Sequence, residues 1–382
     1  MEYKIKNIEE ASERFKKAVN NKEKIVLYGD SDLDGIASVV ILKETLEIIG
    51  ADTPFIYFPN RFEEGHGLNL EALEFLKKEL SNKFLLVLLD SGITSFKEIK
   101  KARENQIEVI IIDHHQPLGK VPEASLIVNP KQEGDNYFFK NLANVGVTFK
   151  LSEEILKEKM TEAVRNNFLE LTALATISDM MEQAYDNKFF IEKGIESLEK
   201  TKRKGLIFLK EKIKSNSIKE TSQRIINLLN VGDIIDHKAE GYNLLISQDE
   251  KEIKKIAEGL IVKSEEKKNK VNKIIDEIEE KEQYSNNFIF EYNSNWETSL
   301  LGTVASRLCQ KTGKTIFLLG KGNKTIRGAV RASDGVNSVD VMSKYSNLLE
   351  SFGGHPPAAG FKIKKENIEE FKNNLKDYFQ KK

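Results

Sequence analysis

Aspartates and histidines are spaced along the first half of this chain in a way that suits metal-dependent phosphate chemistry. The run GDSDLDG supplies Asp30, Asp32 and Asp34, with Gly35 closing a tight turn. LLVLLD ends in Asp90, and EVIIIDHH runs straight into Asp113, His114 and His115. Carboxylates and imidazoles crowded together repel one another or lie unsatisfied unless cations sit among them. Such a mixed oxygen and nitrogen donor set suits Mn²⁺ or Mg²⁺ better than a thiol-preferring metal. Each acid alone also reads as a helix N-cap or turn residue; all of them at strand ends beside a histidine pair read better as one site. The spacing Asp-x-Asp-x-Asp-Gly also opens a calcium-binding EF-hand loop. That reading fails, because position 12 of such a loop is Ile41 where a bidentate Glu is needed, and a strand-like run precedes it where a helix is needed.

The elements that must position these groups follow from the apolar pattern. Residues 24–30, 55–59, 84–90, 107–113 and 125–130 are short continuous apolar runs, as strands covered on both faces are. Amphipathic stretches such as IASVVILKETLEII and NLEALEFLKKELS lie between them. Strand, helix, strand in repetition predicts an α/β fold with a doubly wound, mostly parallel sheet, and ligands of such sheets collect beyond the carboxyl ends of the strands. From about 143 to 230 the spacing turns helical, a helical extension of the first domain. Residues 250–283 read as a long charged connecting helix with a narrow apolar stripe and a polar middle, and 284–382 as a smaller C-terminal α/β domain. The expected divisions are therefore 1–249, 250–283 and 284–382.

Composition narrows the class. The 382 residues are too many for one ordinary core. With 40% hydrophobic and 31% charged residues the chain is neither disordered nor fibrous. No run approaches the roughly 20 apolar residues of a membrane span and the start has no signal-like apolar core, so a cytoplasmic protein without membrane contact is expected. The lone Cys309 excludes a disulfide scaffold and reads as a small core residue. Net charge is −1, from 59 Lys and Arg against 60 Asp and Glu, so any attraction to phosphates must be local. The densest basic run, Lys200 to Lys219, reads first as a solvated face. His66, in NRFEEGHGLN, is a further candidate site residue, whereas His237 has no motif around it. In FGGHPPAAGF two glycines precede His355, where backbone N–H groups in a turn can approach an anion while the imidazole adds a donor.

Taken together, GDSDLDG, LLDSGIT, IIDHHQP and ATISDMM resemble the four ordered motifs of the DHH phosphoesterase superfamily, and SFGGHPPAAGF resembles the signature of its DHHA1 domain. NRFEEGHGLN, NLANVGVTFKL, NWETSLLGTVASRL and IRGAVRAS resemble the RecJ branch, the single-strand-specific exonucleases that work from the 5′ end. The resemblance implies two divalent cations, Mn²⁺ or Mg²⁺. Asp32 with Asp30 would hold one, Asp34, His114 and Asp179 the other, and Asp90 would bridge them. His115 would face the scissile phosphate, with Asp113 orienting the histidine pair. It further implies substrate contacts from Arg61, His66, Arg331, Ser333, His355 and the Gly353 and Gly354 backbone.

The activity so implied is 5′-to-3′ hydrolysis of single-stranded nucleic acid, DNA rather than RNA, with release of 5′-mononucleotides and with single-strand-binding or repair proteins as partners. An oligonucleotide or cyclic-dinucleotide phosphodiesterase is the alternative within the chemistry. A non-catalytic replication or repair scaffold is the alternative outside it. The sequence departs from the family where Lys188 stands in place of an arginine and where INLLNVGDIID lacks a glycine-arginine ending. It also ends soon after the GGH motif, where the family continues into an OB domain, so a weaker grip on long strands is expected.

Overall fold

In this computed structural model residues 4–61, 63–81, 83–117, 119–281, 288–322 and 324–380 are described, His355 by its backbone alone. The chain divides into two compact units, Met1–Lys263 and Ser264–Lys382. Among the described residues no helix is long and apolar enough to cross a membrane.

The first unit runs α1 (Ile8–Asn20), β1 (Ile25–Gly29), α2 (Leu33–Ile48), β2 (Phe55–Tyr57), α3 (Leu70–Leu80), β3 (Leu85–Leu89), α4 (Phe96–Glu104), β4 (Glu108–Ile112) and β5 (Leu126–Val128). The helices α5 (Asn144–Leu156), α6 (Glu162–Ser178), α7 (Tyr185–Glu199), α8 (Lys204–Lys212) and α9 (Ile218–Leu229) follow. A hairpin of β6 (Ile234–Ile235) and β7 (Lys238–Ala239) then leads to α10 (Glu240–Ile246). The five predicted strands form one sheet in the order β2-β1-β3-β4-β5, every pair parallel. Their apolar runs are continuous because both faces are covered. Leu27, Leu85, Val87 and Ile110 point into the larger core with α2 and α5, while Val26, Leu86, Leu88 and Ile111 point into a smaller one with α3 and α4. This strand order reverses direction between β1 and β3, so the crevice of the sheet opens beyond the ends of those two strands.

The helix α11 (Glu250–Lys281) spans the boundary between the units. Ile253, Ala257 and Leu260 belong to the first unit's core and Val271, Ile274 and Ile278 to a core of the second. The second unit continues with β8 (Phe288–Tyr292), α12 (Thr298–Thr312), β9 (Thr315–Leu319), β10 (Thr325–Arg331), α13 (Ser338–Lys344), β11 (Leu349–His355), β12 (Ala358–Lys364) and α14 (Ile368–Gln380). Its sheet has the order β11-β12-β10-β9-β8, parallel only between β8 and β9. The glycine-rich FGGH segment is therefore not a turn but the end of an edge strand, with Gly353 opposite Gly360 and Gly354 opposite Ala359. Gly354 has φ 145°, and a β-carbon there would lie 2.4 Å from the Ala358 carbonyl oxygen.

Candidate active site

Hydrogen bonding sets the first step of the site. Asp30, Asp90 and Asp113 each stand one residue past a strand, yet their N–H groups still donate into the ladder, to Leu89 O (3.1 Å), Ile112 O (3.0 Å) and Val128 O (3.1 Å). Three adjacent parallel strands thus deliver three carboxylates to one edge of the sheet at strand spacing, about 4.8 Å apart. Asp90 then leaves the strand with φ 60°, a conformation that non-glycine residues rarely adopt and that turns the chain sharply at this point.

The turn after β1 adds two more acids. Asp32 caps α2, its Oδ1 accepting from the Asp34 and Gly35 N–H groups at 3.1 and 3.2 Å. Gly35 is required because the helix start packs onto Asp30, where a β-carbon would meet the backbone oxygen at 2.2 Å. Asp34, fully buried, accepts from the Asn144 and Val145 N–H groups at the start of α5 at 2.8 and 2.7 Å. Asp179 caps the C-terminus of α6. Asn230 joins the two ends, accepting from Leu33 N and donating to Ser178 Oγ.

The two histidines are held differently. The Nδ1 of His114 lies 2.9 Å from Leu142 O; a carbonyl only accepts, so Nδ1 carries the proton and Nε2 presents a lone pair. That Nε2 lies 3.3 Å from Asp90 Oδ1, 3.6 Å from Asp179 Oδ2 and 3.9 Å from Asp34 Oδ2. Burial, then the nearby His115 charge, push His114 down to about 3, so the ring is neutral. His115 is half exposed. Burial pulls its pKa down, but the 2.8 Å bond from Nδ1 to Asp113 and that carboxylate's charge outweigh it, and the group is raised to about 9. Asp113 has no exposed surface and accepts from the backbone of Ile93, His114 and His115 as well; against the effect of burial, the hydrogen bond from the His115 ring and that ring's charge hold its carboxyl low.

The acids fall into two electrostatic classes. Burial and then mutual repulsion raise Asp90 and Asp34 well above the ordinary carboxylate range, and burial and the Asp32 charge lift Asp179 to about 7. Asp32 is held low despite burial by Arg61, whose guanidinium bonds Asp30 Oδ1 at 2.7 Å and Asp32 Oδ2 at 2.8 Å. Three groupings have ligand atoms close enough to share an ion: Asp30, Asp32 and Asp90; Asp34, His114 and Asp179; and Asp90, His114 and His115. The donors fit divalent cations on a specific observation. Asp90 Oδ1 and Asp179 Oδ2 are buried with no hydrogen-bond partner, and both face the unprotonated Nε2 of His114. Lone pairs opposed at 3.3 Å inside a protein are satisfied by a cation between them.

All six residues that sequence reading assigned to metal fall in these groupings, as does His115, assigned to catalysis, and Asp113 stands directly behind them. Arg61 is also here, but on the acids. His66 is exposed in the same loop and belongs to none of the groupings. In the second unit, Arg331 and His355 both pair with Ala358 and so end the two strands that flank β12, at the same end of the sheet. Arg331 is half-buried, its guanidinium donating to Val330 O, and burial lowers its pKa. The Ser333 Oγ lies 2.9 Å from Thr315 Oγ1. The His355 side chain lies outside the described residues.

Several supports had no mark in the sequence reading. Leu142, Asn144 and Val145 act through backbone atoms, although NLANVG was visible as a motif. Glu64 ties the loop that carries Arg61, accepting from Asn60 N, Tyr57 Oη and Asn69 Nδ2. His237 does have a context. It sits in the two-residue turn of the β6–β7 hairpin with φ 58°, its ring stacks on Tyr57 at 4.2 Å, and its carbonyl accepts from Phe58 N. The basic run from Lys200 is not wholly a solvated face either: Arg203 is buried in ion pairs with Glu44 and Glu170, and Lys210 donates to the carbonyls of Leu198 and Glu199.

A parallel sheet that aims aspartates and a histidine pair into one crevice, followed by a small mixed-sheet unit, defines a class. Residues 24–176 match the DHH family N-terminal domain and residues 285–381 the DHHA1 domain, so the chain carries both domains of a DHH–DHHA1 protein. The particular relatives are RecJ exonucleases. The chain is 33% identical over 385 residues to the single-stranded-DNA-specific exonuclease RecJ of Bacillus subtilis (strain 168), covering 98% of this chain and 48% of that one. It is 28% identical over 377 residues to that of Thermus thermophilus, covering 98% and 54%. It thus spans about half the length of these two curated relatives. A crystal structure of exonuclease RecJ bound to manganese superposes with a TM-score of 0.80 at 25% identity, covering 99% of this chain and 95% of that one. The crystal structure of Thermus thermophilus RecJ in complex with Mn²⁺ shares the fold at a TM-score of 0.84 and 23% identity, covering 99% and 55%.

Proposed function

We propose that the chain is a metal-dependent nuclease that hydrolyses single-stranded DNA from its 5′ end and releases 5′-mononucleotides. The observation that carries this reading is the pair of buried, unpartnered carboxylate oxygens on Asp90 and Asp179 turned toward the lone pair of His114. The relatives, whose names specify single-stranded DNA, supply the substrate. Asp30, Asp32 and Asp90 would hold one divalent cation and Asp34, His114, Asp179 and Asp90 a second. When bound, such a pair supplies a water of lowered pKa and neutralises charge on the attacking and leaving oxygens of an in-line displacement.

The remaining roles belong to the chain's own groups. Leu142 fixes the tautomer of His114 so that Nε2 stays a ligand. Asp113 accepts a hydrogen bond from the Nδ1–H of His115, which leaves the Nε2–H of a half-exposed imidazolium to donate to a non-bridging phosphate oxygen. Arg61 neutralises Asp30 and Asp32 and would meet a phosphate there. In residues 284–382, Arg331, Ser333, His355 and the Gly353 and Gly354 backbone would bind the substrate's phosphates. Purified protein incubated with Mn²⁺ and single strands labelled at either end tests the reading. Labelled mononucleotide should appear at once from the 5′-labelled strand only. Release from the 3′ end first, or from neither at any metal concentration, would overturn it.

A further inference from the structure

Next to the acid cluster is a surface that the chemistry above leaves unused. Tyr185, Phe138 and Phe189 are 68%, 58% and 46% exposed, and Met180 is 84% exposed. Single exposed apolar side chains are ordinary, but these are assembled. The Phe138 and Tyr185 rings meet edge to face with centroids 5.7 Å apart, and Phe189 lies one turn along α7 from Tyr185. The two segments that carry these side chains are bonded to each other, Asn141 Nδ2 donating to Glu182 and Asn187 Nδ2 to Asn141 O, and along the chain both lead to the site. Met180 directly follows Asp179, and the segment from Phe138 leads within a few residues to Leu142, which holds His114, and to Asn144, which holds Asp34.

The two lysines nearest the rings are each paired with an acid, so the aromatic faces and not a net positive charge carry the argument. Asp186 is paired with Lys150 at 3.1 Å, Lys188, exposed between Tyr185 and Phe189, is paired at 3.9 Å with Glu192, and Glu182 accepts from the Asn141 amide. Unpaired nucleobases offer flat π-faces, and aromatic side chains beside cations are the usual means of holding them without sequence preference. In a duplex those faces are stacked and hidden. We propose that Phe138, Tyr185 and Phe189 form a stacking platform for the unpaired bases of the strand whose end lies in the acid cluster, and that this platform favours single strands. The proposal rests on the nuclease reading and adds to it the residues that recognise unpaired bases.

The test is steady-state cleavage with Mn²⁺, comparing the wild type with Phe138→Ser/Tyr185→Ser and with Tyr185→Trp. For the double variant, KM for a long single strand should rise about fivefold to a hundredfold with kcat unchanged. The inhibition constant of an abasic strand of equal length should stay at the wild-type value, because that competitor has phosphates but no bases. Tyr185→Trp should keep the wild-type KM, and its indole fluorescence should be quenched by the normal strand and not by the abasic one. Equal weakening toward both strands, or no change in KM, overturns the platform while the nuclease reading stands. Loss of binding to a single-strand-binding protein, with KM unchanged, would likewise overturn it and make the patch a protein-docking surface. If the wild type cleaves no strand at all, the nuclease reading fails and the platform with it.

Discussion

At the scale of single residues, the site is a matter of like charges held where they cannot relax. Asp90 is the clearest case, 3% exposed, in a left-handed conformation, with one oxygen lacking any donor. Burial and the charges of Asp34, Asp32 and Asp30 drive its pKa up. Asp90→Asn keeps the shape and removes the charge from the carboxylate shared by two groupings. Mn²⁺ titrated calorimetrically should lose at least one binding event, and kcat should fall by roughly a thousandfold or more, about 4 kcal/mol of transition-state stabilisation. Unchanged Mn²⁺ stoichiometry in a folded variant would remove Asp90 from the metal set. Asp30, Asp90 and Asp113 were legible in the sequence because each directly follows an apolar strand run, so secondary structure alone predicts where they stand. Arg61 on Asp30 and Asp32, and Glu64 behind it, were not legible in those roles, because the loop that folds them back has no periodicity to betray its path.

At the scale of elements, α2, α6 and the start of α8 meet around a buried charge cluster. Arg203 bonds Glu44 through both terminal nitrogens and lies 3.0 Å from Glu170, which is 1% exposed. One guanidinium shared between two acids does not compensate both. Burial lifts Glu170 to about 7 against the pull of Arg203. The sign follows from proton binding. A carboxyl raised from 4.5 to about 7 binds more protons folded than unfolded between those values, so stability falls as pH rises through that window. The loss attributable to this group is up to about 3 kcal/mol at roughly 1.36 kcal/mol per pKa unit. Urea unfolding at about pH 5 and pH 8, which spans most of that window, should show the decline in the wild type and a flatter profile in Glu170→Gln, while an equal decline in both would clear Glu170 of the effect. The helices themselves were predicted from their apolar spacing. Their assembly around Arg203 was not, because a lysine-rich run looks the same whether its arginine faces water or a pair of acids.

At the scale of the whole molecule, each unit has its own cores, and every member of the acid and imidazole groupings lies in Met1–Lys263. Phe371, fully buried, touches the rings of Phe290, Phe317 and Phe361 in the second unit. Phe371→Ala should destabilise that unit by about 3–5 kcal/mol, seen as an earlier calorimetric transition, and leave Mn²⁺ affinity unchanged. A matching loss of Mn²⁺ affinity would mean that the units do not fold independently. What sequence by itself determined here is the parallel sheet, its strand limits, and the acids at their ends, because a strand buried on both faces must be continuously apolar and its terminus is where polarity returns. Only the tertiary structure decided that FGGH is an edge strand, that His237 closes over Tyr57, and that Phe138 and Tyr185 meet. The last two depend on segments far apart in the chain being brought together, and the first on β12 taking β10 as its other neighbour; local spacing carries no record of such meetings.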